Sequence, residues 1–261
     1  MRLLALKTLS SILFLGLMAY SLAGFADHRP NPTSSPSLSS WYASVRLGYG
    51  FKPTTRVDDA VQAAVGARNQ PANMTLEYGS SFVYGGAIGY LQDRIGVELE
   101  ATHRNSKLKT FSTSNEGDFT SRNGRISLTP IMLNFYYHFL NFFQGHANLY
   151  AGAGMGLAFV NNRIDVAGNF PNLTPLTSTS YTGSLKSHSF AYQLILGMAY
   201  QISKSFSIGL EDRYFVAPLD THWQYDGNLT VSTLIIPDSI TYRIDQYHSN
   251  MINLVFTYYF S

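Results

Sequence analysis

Apolar and polar residues alternate with a period of two in eight segments of the chain. In the segment WYASVRLGYGF, Trp41, Val45 and Tyr49 fall on one face, whereas Arg46 and Gly48 fall on the other. This alternation is typical of β-strands whose two faces meet different surroundings. The other segments cover residues 81–91, 95–104, 126–139, 150–160, 189–202, 206–215 and 250–261. The pattern therefore predicts an all-β chain.

The connections between these segments alternate in length. Three are short, at 92–94, 140–146 and 203–205, and four are long and polar, at 52–80, 105–125, 161–188 and 216–248. Short turns on one side and long loops on the other are typical of outer-membrane barrels. The sequence thus predicts an eight-stranded antiparallel transmembrane β-barrel with four long extracellular loops.

The last long loop contains two further β-type runs, LTVSTLII and SITYRIDQ. They indicate a hairpin that either extends the barrel above the membrane or raises the strand count to ten. A soluble sandwich also has alternating strands. Aromatic residues near the strand ends favour a membrane barrel instead, because aromatic girdles mark both membrane interfaces.

The N-terminal residues divide into two segments before the predicted barrel at 41–261. Residues 1–26 combine Arg2 and Lys7 with an apolar run, which is the pattern of a secretory signal peptide. An N-terminal anchor is the alternative, but the run is shorter than the roughly 20 residues a spanning helix needs. Residues 27–40 are rich in Pro and Ser and predict a flexible periplasmic tail. Together with the barrel pattern, the signal peptide predicts that the protein is located in the outer membrane of a Gram-negative bacterium.

Composition excludes several classes of function. Without Arg2 and Lys7 the chain has 16 basic and 16 acidic residues, and no cluster of Lys and Arg along the sequence suggests nucleic-acid binding. The chain has no cysteine, which excludes thiolate chemistry and disulfides. We predict no cofactor and no metal ion.

Three segments resemble the opacity-protein and surface-antigen family of small outer-membrane β-barrels. They are PIMLNFYYHF, LYAGAGMGLAFV and AYQLILGMAYQISKSFSIGLEDRYF, and they cover about half of the mature chain. The resemblance implies an eight-stranded barrel whose surface loops meet a host or environmental ligand. The final LVFTYYF also resembles the C-terminal signal that barrel-assembly machinery recognises, although Ser261 follows the aromatic Phe260.

Five charged residues fall on the predicted inner face of the strands. An eight-stranded barrel is narrow enough for side chains to fill it, and a charge inside it needs an opposite partner. We therefore interpret the five as a structural salt-bridge network, with a narrow pore or gate as the alternative. The residues are Arg46, Glu98, Glu100, Glu211 and Arg213.

The hypothesis that the protein is an enzyme has weaker support than a structural role for these charges. His188 and His248 each precede a serine, but adjacent strand residues point to opposite faces, so neither histidine can serve its neighbouring serine. Asp220, His222 and Asp226 lie in a polar loop that a protease or metal site could use, although such residues are common in surface loops. We predict no catalytic residue, with a lipid hydrolase, a protease and a small channel as alternatives.

The predicted function is that of an adhesin or envelope protein acting through its long loops, in contact with outer-membrane lipid. Apolar and aromatic side chains dominate binding surfaces. The loop residues of this kind that we expect to contact a partner are Trp223, Tyr225, Leu234, Ile235 and Ile236.

Three glycines punctuate the segment YAGAGMGLAFV. A dinucleotide-binding loop has the pattern G-x-G-x-x-G, whose third glycine would fall at position 157, and that residue is Leu. No helical pattern follows the segment either. The period of two places Gly152, Gly154 and Gly156 on the inner face, with Met155 and Leu157 facing lipid. We predict that these glycines make room in the narrow lumen for larger neighbours.

Overall fold

The computed structural model describes residues 40–64, 70–71, 74–113, 117–121, 123–143, 145–169, 177–231 and 234–260. The predicted signal peptide and all of the predicted tail except Ser40 lie outside these residues. The strands of the described part are β1 (Ser40–Gly50), β2 (Thr54–Ala64), β3 (Gln70–Pro71), β4 (Met74–Tyr78), β5 (Ser81–Gln92), β6 (Ile95–Thr113), β7 (Gly117–Ser121), β8 (Arg125–Phe142), β9 (Ala147–Asn169), β10 (Thr177–Ser203), β11 (Phe206–Val231) and β12 (Leu234–Tyr259). No helix in these ranges is long and apolar enough to cross a membrane.

Eight strands form a closed antiparallel ring. Its order is β1, β5, β6, β8, β9, β10, β11 and β12, and β12 pairs back with β1 through registers such as Val45↔Phe256. Closure leaves no unpaired edge within the membrane, as a lipid environment requires. The predicted eight-stranded barrel is confirmed.

The four long extracellular connections consist mostly of extended strand. Strands β9 to β12 continue well beyond the apolar belt, and β11 turns into β12 at the pair Val231↔Leu234. Strands β2, β4 and β7 pair with the outer parts of β12, β6 and β9. The predicted hairpin therefore extends the barrel and does not raise the count of membrane strands to ten.

The outer face carries the apolar residues that the alternation assigned to lipid. Phe82 is 60% exposed and Ile88 is 61% exposed although both are hydrophobic. The acidic Asp212 also faces outward, which the alternation of β11 predicts; its regular register with Leu196 and Ile252 shows that no β-bulge turns it outward. The register shifts of β11 lie elsewhere, near Ser203 in one pairing and after Pro218 in the other.

The lumen contains two different layers. The middle layer is polar and holds the charged residues. The extracellular half is an apolar core, which the sequence analysis did not predict. Its largest members include Tyr78, Leu108, Ile126, Leu128, Phe215 and Tyr247. The barrel is therefore filled with side chains from its middle upward.

Candidate functional site

The five predicted lumen charges come from three strands. Arg46 lies on β1, Glu98 and Glu100 on β6, and Glu211 and Arg213 on β11. Residues two apart on a strand share a face, so each strand presents its charges inward. All five are buried, with 1–2% of their surface exposed. The structure brings all five into one cluster, which we call the lumen network.

Arg46 contacts all three carboxylates of the lumen network. Its Nη2 donates to Oε1 and Oε2 of Glu98 at 2.9 and 2.7 Å. Its Nε lies 3.4 Å from Oε2 of Glu211 and 3.5 Å from Oε2 of Glu100. Its Nη1 donates to Oγ of Ser44 at 2.7 Å. The Arg46 guanidinium thus links β1 to β6 and β11, neither of which pairs with β1 in the ring.

Arg213 joins the other side of the lumen network. Its Nη1 donates to both oxygens of Glu100 at 2.7 Å. Its Nη2 lies 2.6 Å from Oε2 of Glu211, and its Nε donates to the same oxygen at 2.8 Å. These charge-assisted bonds to two carboxylates are short, as expected for strong hydrogen bonds. Arg213 therefore holds β6 and β11 together across the lumen.

Uncharged polar residues complete the lumen network, and the sequence analysis did not name them as members. Asn134 Nδ2 donates to Glu98 at 3.1 Å and to Glu100 at 3.0 Å, and Tyr136 OH donates to Glu98 at 2.9 Å. Tyr150 OH donates to Glu211 at 2.9 Å. The sequence did indicate that these residues point into the lumen, because they occupy inward positions of β8 and β9. However, period-two alternation alone does not show which inward polar residues meet.

Glycines make the space that these polar residues occupy. A side chain at Gly154 would collide with Oδ1 of Asn134, which accepts a 2.8 Å hydrogen bond from Gln193. A side chain at Gly197 would collide with the ring of Tyr150. The G-x-G-x-G segment is thus a strand whose missing side chains leave room for residues, such as Asn134, that donate hydrogen bonds to the carboxylates.

Arg104 is a sixth buried charge that the sequence analysis missed. It lies on the inner face of β6, four residues beyond Glu100, within the apolar core. Its Cζ is 3.9 Å from the ring centroid of Phe215 and 5.2 Å from that of Tyr247. Its Nη1 lies 2.9 Å from Sδ of Met251. Within the described part of the chain, its Nε and Nη2 have no hydrogen-bond partner.

A small cavity reaches the lumen network from the periplasmic side. Its volume is about 50 Å³. A water molecule needs roughly 10–15 Å³ of such volume, so the cavity has room for a few waters. Residues that line it below the network include Tyr42, Leu91, His138, Ala199, Ser207 and Tyr259.

Among the residues whose side chains are described, the histidine–serine candidates do not come together as a catalytic site. His188 faces outward, while Ser189 faces inward and donates to the backbone oxygens of Phe190 and Pro218. Ser249 likewise donates to backbone oxygens. Glu211 is the acid that a catalytic histidine would need, and its carboxylate already bonds to Tyr150 and the two arginines. Among the described residues, no group of three or more His, Asp and Glu side chains is placed to hold a metal ion. The side chains of Asp220, His222 and Asp226 lie outside the described part.

The predicted partner-contact residues belong to the extended hairpin of β11 and β12. In the backbone register Trp223 pairs with Tyr242, Tyr225 with Ile240, and Ile235 with Thr230. Leu234 and Ile236 lie on the same strand as Ile235. The side chains of all five candidates, Trp223, Tyr225, Leu234, Ile235 and Ile236, lie outside the described residues, so their contact role stays a prediction.

Sequence comparison identifies the family. The model of the outer membrane protein beta-barrel domain matches residues 12–260. The chain belongs to this family. Its members' location in the Gram-negative outer membrane agrees with the apolar belt and the closed ring of the structure. The narrower resemblance to opacity proteins stays a prediction.

Three known proteins are similar to the chain. A Rickettsia conorii protein named "Putative adhesin RC1281" is 26% identical over 187 residues, which cover 68% of this chain and 69% of that protein. The outer membrane protein OprG from Pseudomonas aeruginosa is 16% identical, with a TM-score of 0.51 over 86% of this chain and 97% of OprG. Neisserial surface protein A is 10% identical, with a TM-score of 0.46 over 84% of this chain and 97% of that one. The similarity to OprG shows a shared fold.

Proposed function

We propose that this outer-membrane barrel is a non-enzymatic adhesin that binds a host or environmental ligand through its extracellular strand extension. The observation that carries the proposal is the filled lumen. The lumen network occupies the middle of the barrel, and the apolar core occupies its extracellular half. The surface available to a large partner is therefore the extension, which consists mainly of β9 to β12.

The lumen network in this proposal is a structural plug. Its two arginines join β1, β6 and β11 across the lumen, and the hydrogen bonds of its carboxylates come from neighbouring side chains. A catalytic or transport role would need access for a solute, and the periplasmic cavity has room for a few waters.

The similarity to a Rickettsia protein named as an adhesin supports the same function. The extended hairpin also concentrates apolar and aromatic residues beyond the membrane, including Trp223 and the run Leu234 to Ile236. Residues of this kind dominate the energetics of protein–protein contacts.

A hairpin truncation tests the proposal without disturbing the apolar core. The pair His222↔Arg243 is kept, and residues 223–242 are replaced by Asn-Gly, which forms a two-residue hairpin turn. This change removes all five predicted contact residues and retains the core residues Leu219 and Ile244. The matched control replaces residues 170–177 by Asn-Gly, next to the pair Asn169↔Ser178.

Both variants are displayed on a non-adherent Gram-negative strain, and bound bacteria are counted on cultured epithelial cells. Heat-modifiable gel migration verifies that each barrel is folded. We expect the 223–242 truncation to abolish adherence and the control to retain it. Undiminished adherence of a folded 223–242 truncation would contradict the proposed role of the hairpin.

A further inference from the structure

Five exposed basic residues lie on the outward face of the barrel, beyond its apolar belt. They come from four consecutive strands of the ring, β6, β8, β9 and β10. We call them the basic row. Its members are Lys107, Lys109, Arg125, Arg163 and Lys186.

The strand register places three members of the basic row side by side. Lys107 pairs with Arg125, and Arg125 pairs with Arg163. Adjacent strands are about 4.8 Å apart, so these three outward-facing cations are direct neighbours. Lys186 pairs with Asn161, which lies two residues before Arg163 on the same face of β9. Like charges placed directly opposite each other destabilise a sheet.

Among the described residues, no salt bridge joins the basic row to an acidic side chain. Within the described part of the chain, the salt bridges involve the lumen network and the pair Arg243 and Asp245. Asp165 on β9 and Glu77 on β4 are near the row, and neither forms a salt bridge with it among the described residues. Asp118 on β7 is also near β6, but its side chain lies outside the described part. The five cations of the row therefore outnumber these three acids, and the row is a surface of net positive charge.

The height of the basic row follows from the strand geometry. The last apolar outward residue is Ala101 on β6, Ile131 on β8, Phe159 on β9 and Phe190 on β10. The row begins four to six residues further along these strands. A strand rises about 3.3 Å per residue and tilts by about 40°, so the row lies roughly 10–15 Å beyond the hydrocarbon edge. A headgroup layer is roughly 5–8 Å thick, so the row lies just above it, and its long lysine and arginine side chains can reach back to that level.

We propose that the basic row binds the phosphate groups of the outer-leaflet glycolipid, lipopolysaccharide. The row faces sideways from the barrel wall, towards the neighbouring lipids, and not upward from the tip of the extension. Lipopolysaccharide carries phosphates on its lipid A headgroup and inner sugars, at the height of the row. Arginine binds phosphate in a bidentate manner and lysine binds it as a point charge.

The basic residues form no cluster along the sequence, but they do form one on the folded barrel. Residues 107, 125, 163 and 186 are far apart in the sequence, and the antiparallel register brings them together. The inference is independent of the adhesin proposal, because the basic row and the hairpin 223–242 are different surfaces.

Binding of labelled lipid A to the refolded full chain in zwitterionic micelles tests the proposal. The test variant is Arg125→Gln with Arg163→Gln. The matched control is Arg94→Gln with Lys204→Gln, which removes two exposed charges from the periplasmic turns. Diphosphoryl lipid A and dephosphorylated lipid A distinguish the phosphate from the acyl chains. Inorganic phosphate and heparin are added as competitors, to separate a free anion and a sulfated polysaccharide from the lipid.

We expect the wild-type barrel to prefer diphosphoryl over dephosphorylated lipid A. The Arg125/Arg163 variant should bind diphosphoryl lipid A about tenfold or more weakly, as the loss of two headgroup cations implies. The Arg94/Lys204 control should bind like the wild type, and millimolar inorganic phosphate should not displace the lipid. Equal affinity for the two forms of lipid A, unchanged binding by the folded row variant, or stronger binding of heparin would each overturn the proposal.

Discussion

Replacing Arg213 by methionine should strongly destabilise the barrel. Arg213 donates to Glu100 and Glu211 over distances of 2.6–2.8 Å, and it is buried with them. The variant would leave three buried carboxylates with Arg46 as the one guanidinium that contacts them in the described structure.

The expected magnitude follows from the cost of an uncompensated buried charge. Removing one partner of a buried salt bridge typically costs about 3–5 kcal/mol. Each lost hydrogen bond to a charged group contributes about 1.5–3 kcal/mol, and neighbouring bonds are not additive. We therefore expect Arg213→Met to lower the free energy of unfolding by about 3–5 kcal/mol.

Urea titration of the folded barrel in lipid vesicles, followed by tryptophan fluorescence, measures this difference. The control Arg94→Met makes the same substitution in an exposed periplasmic turn and should change stability by less than about 0.5 kcal/mol. The double variant Arg213→Met with Glu211→Met should recover much of the loss, because it removes the opposite charges together. A loss below about 1 kcal/mol for Arg213→Met would refute the reasoning that the lumen network stabilises the barrel.

Three further predictions concern the lumen and the histidines. Gly154→Leu should impair assembly because its side chain would displace Asn134, whereas Ala153→Leu on the lipid face should assemble normally; folding yield from heat-modifiable gels compares the two. Arg104→Met should raise the free energy of unfolding in urea, since desolvating an arginine without a salt bridge costs several kcal/mol and its cation–π contacts return about 2 kcal/mol; a loss of stability would show that we have underestimated its contacts. Adherence should survive the double variant His188→Ala with His248→Ala, and its loss in a folded barrel would revive a histidine-dependent activity.

The alternation of residues was enough to predict the ring and the inward position of the charges. Because side chains on a strand alternate strictly between faces, Arg46 and Glu98 had to enter the lumen once the barrel closed. Which groups they meet depends on the shear and register of non-neighbouring strands, which a period of two does not contain. Asn134 and Tyr150 were missed for this reason.

The extracellular part was harder to predict because it obeys a different rule. The hairpin of β11 and β12 satisfies its backbone hydrogen bonds between its own two strands and stands in water, so it needs no alternating apolar face. The sequence from 216 to 248 therefore lacks the strict alternation of the membrane strands, and the pattern alone left open whether it extends the barrel or adds two strands. The apolar core was missed because the alternation reverses beyond the membrane: there the inward residues, such as Leu108 and Ile126, are apolar, and the outward ones, such as Lys107 and Arg125, are charged.

Two layers of side chains seal the barrel, and its proposed binding function therefore resides on the outer surface. Planar-bilayer recording of the purified full-length barrel tests that claim most directly. We predict no stable conductance steps from the wild-type protein, because the lumen network and the apolar core fill the path. Large and stable single-channel steps would contradict the account and would favour a channel.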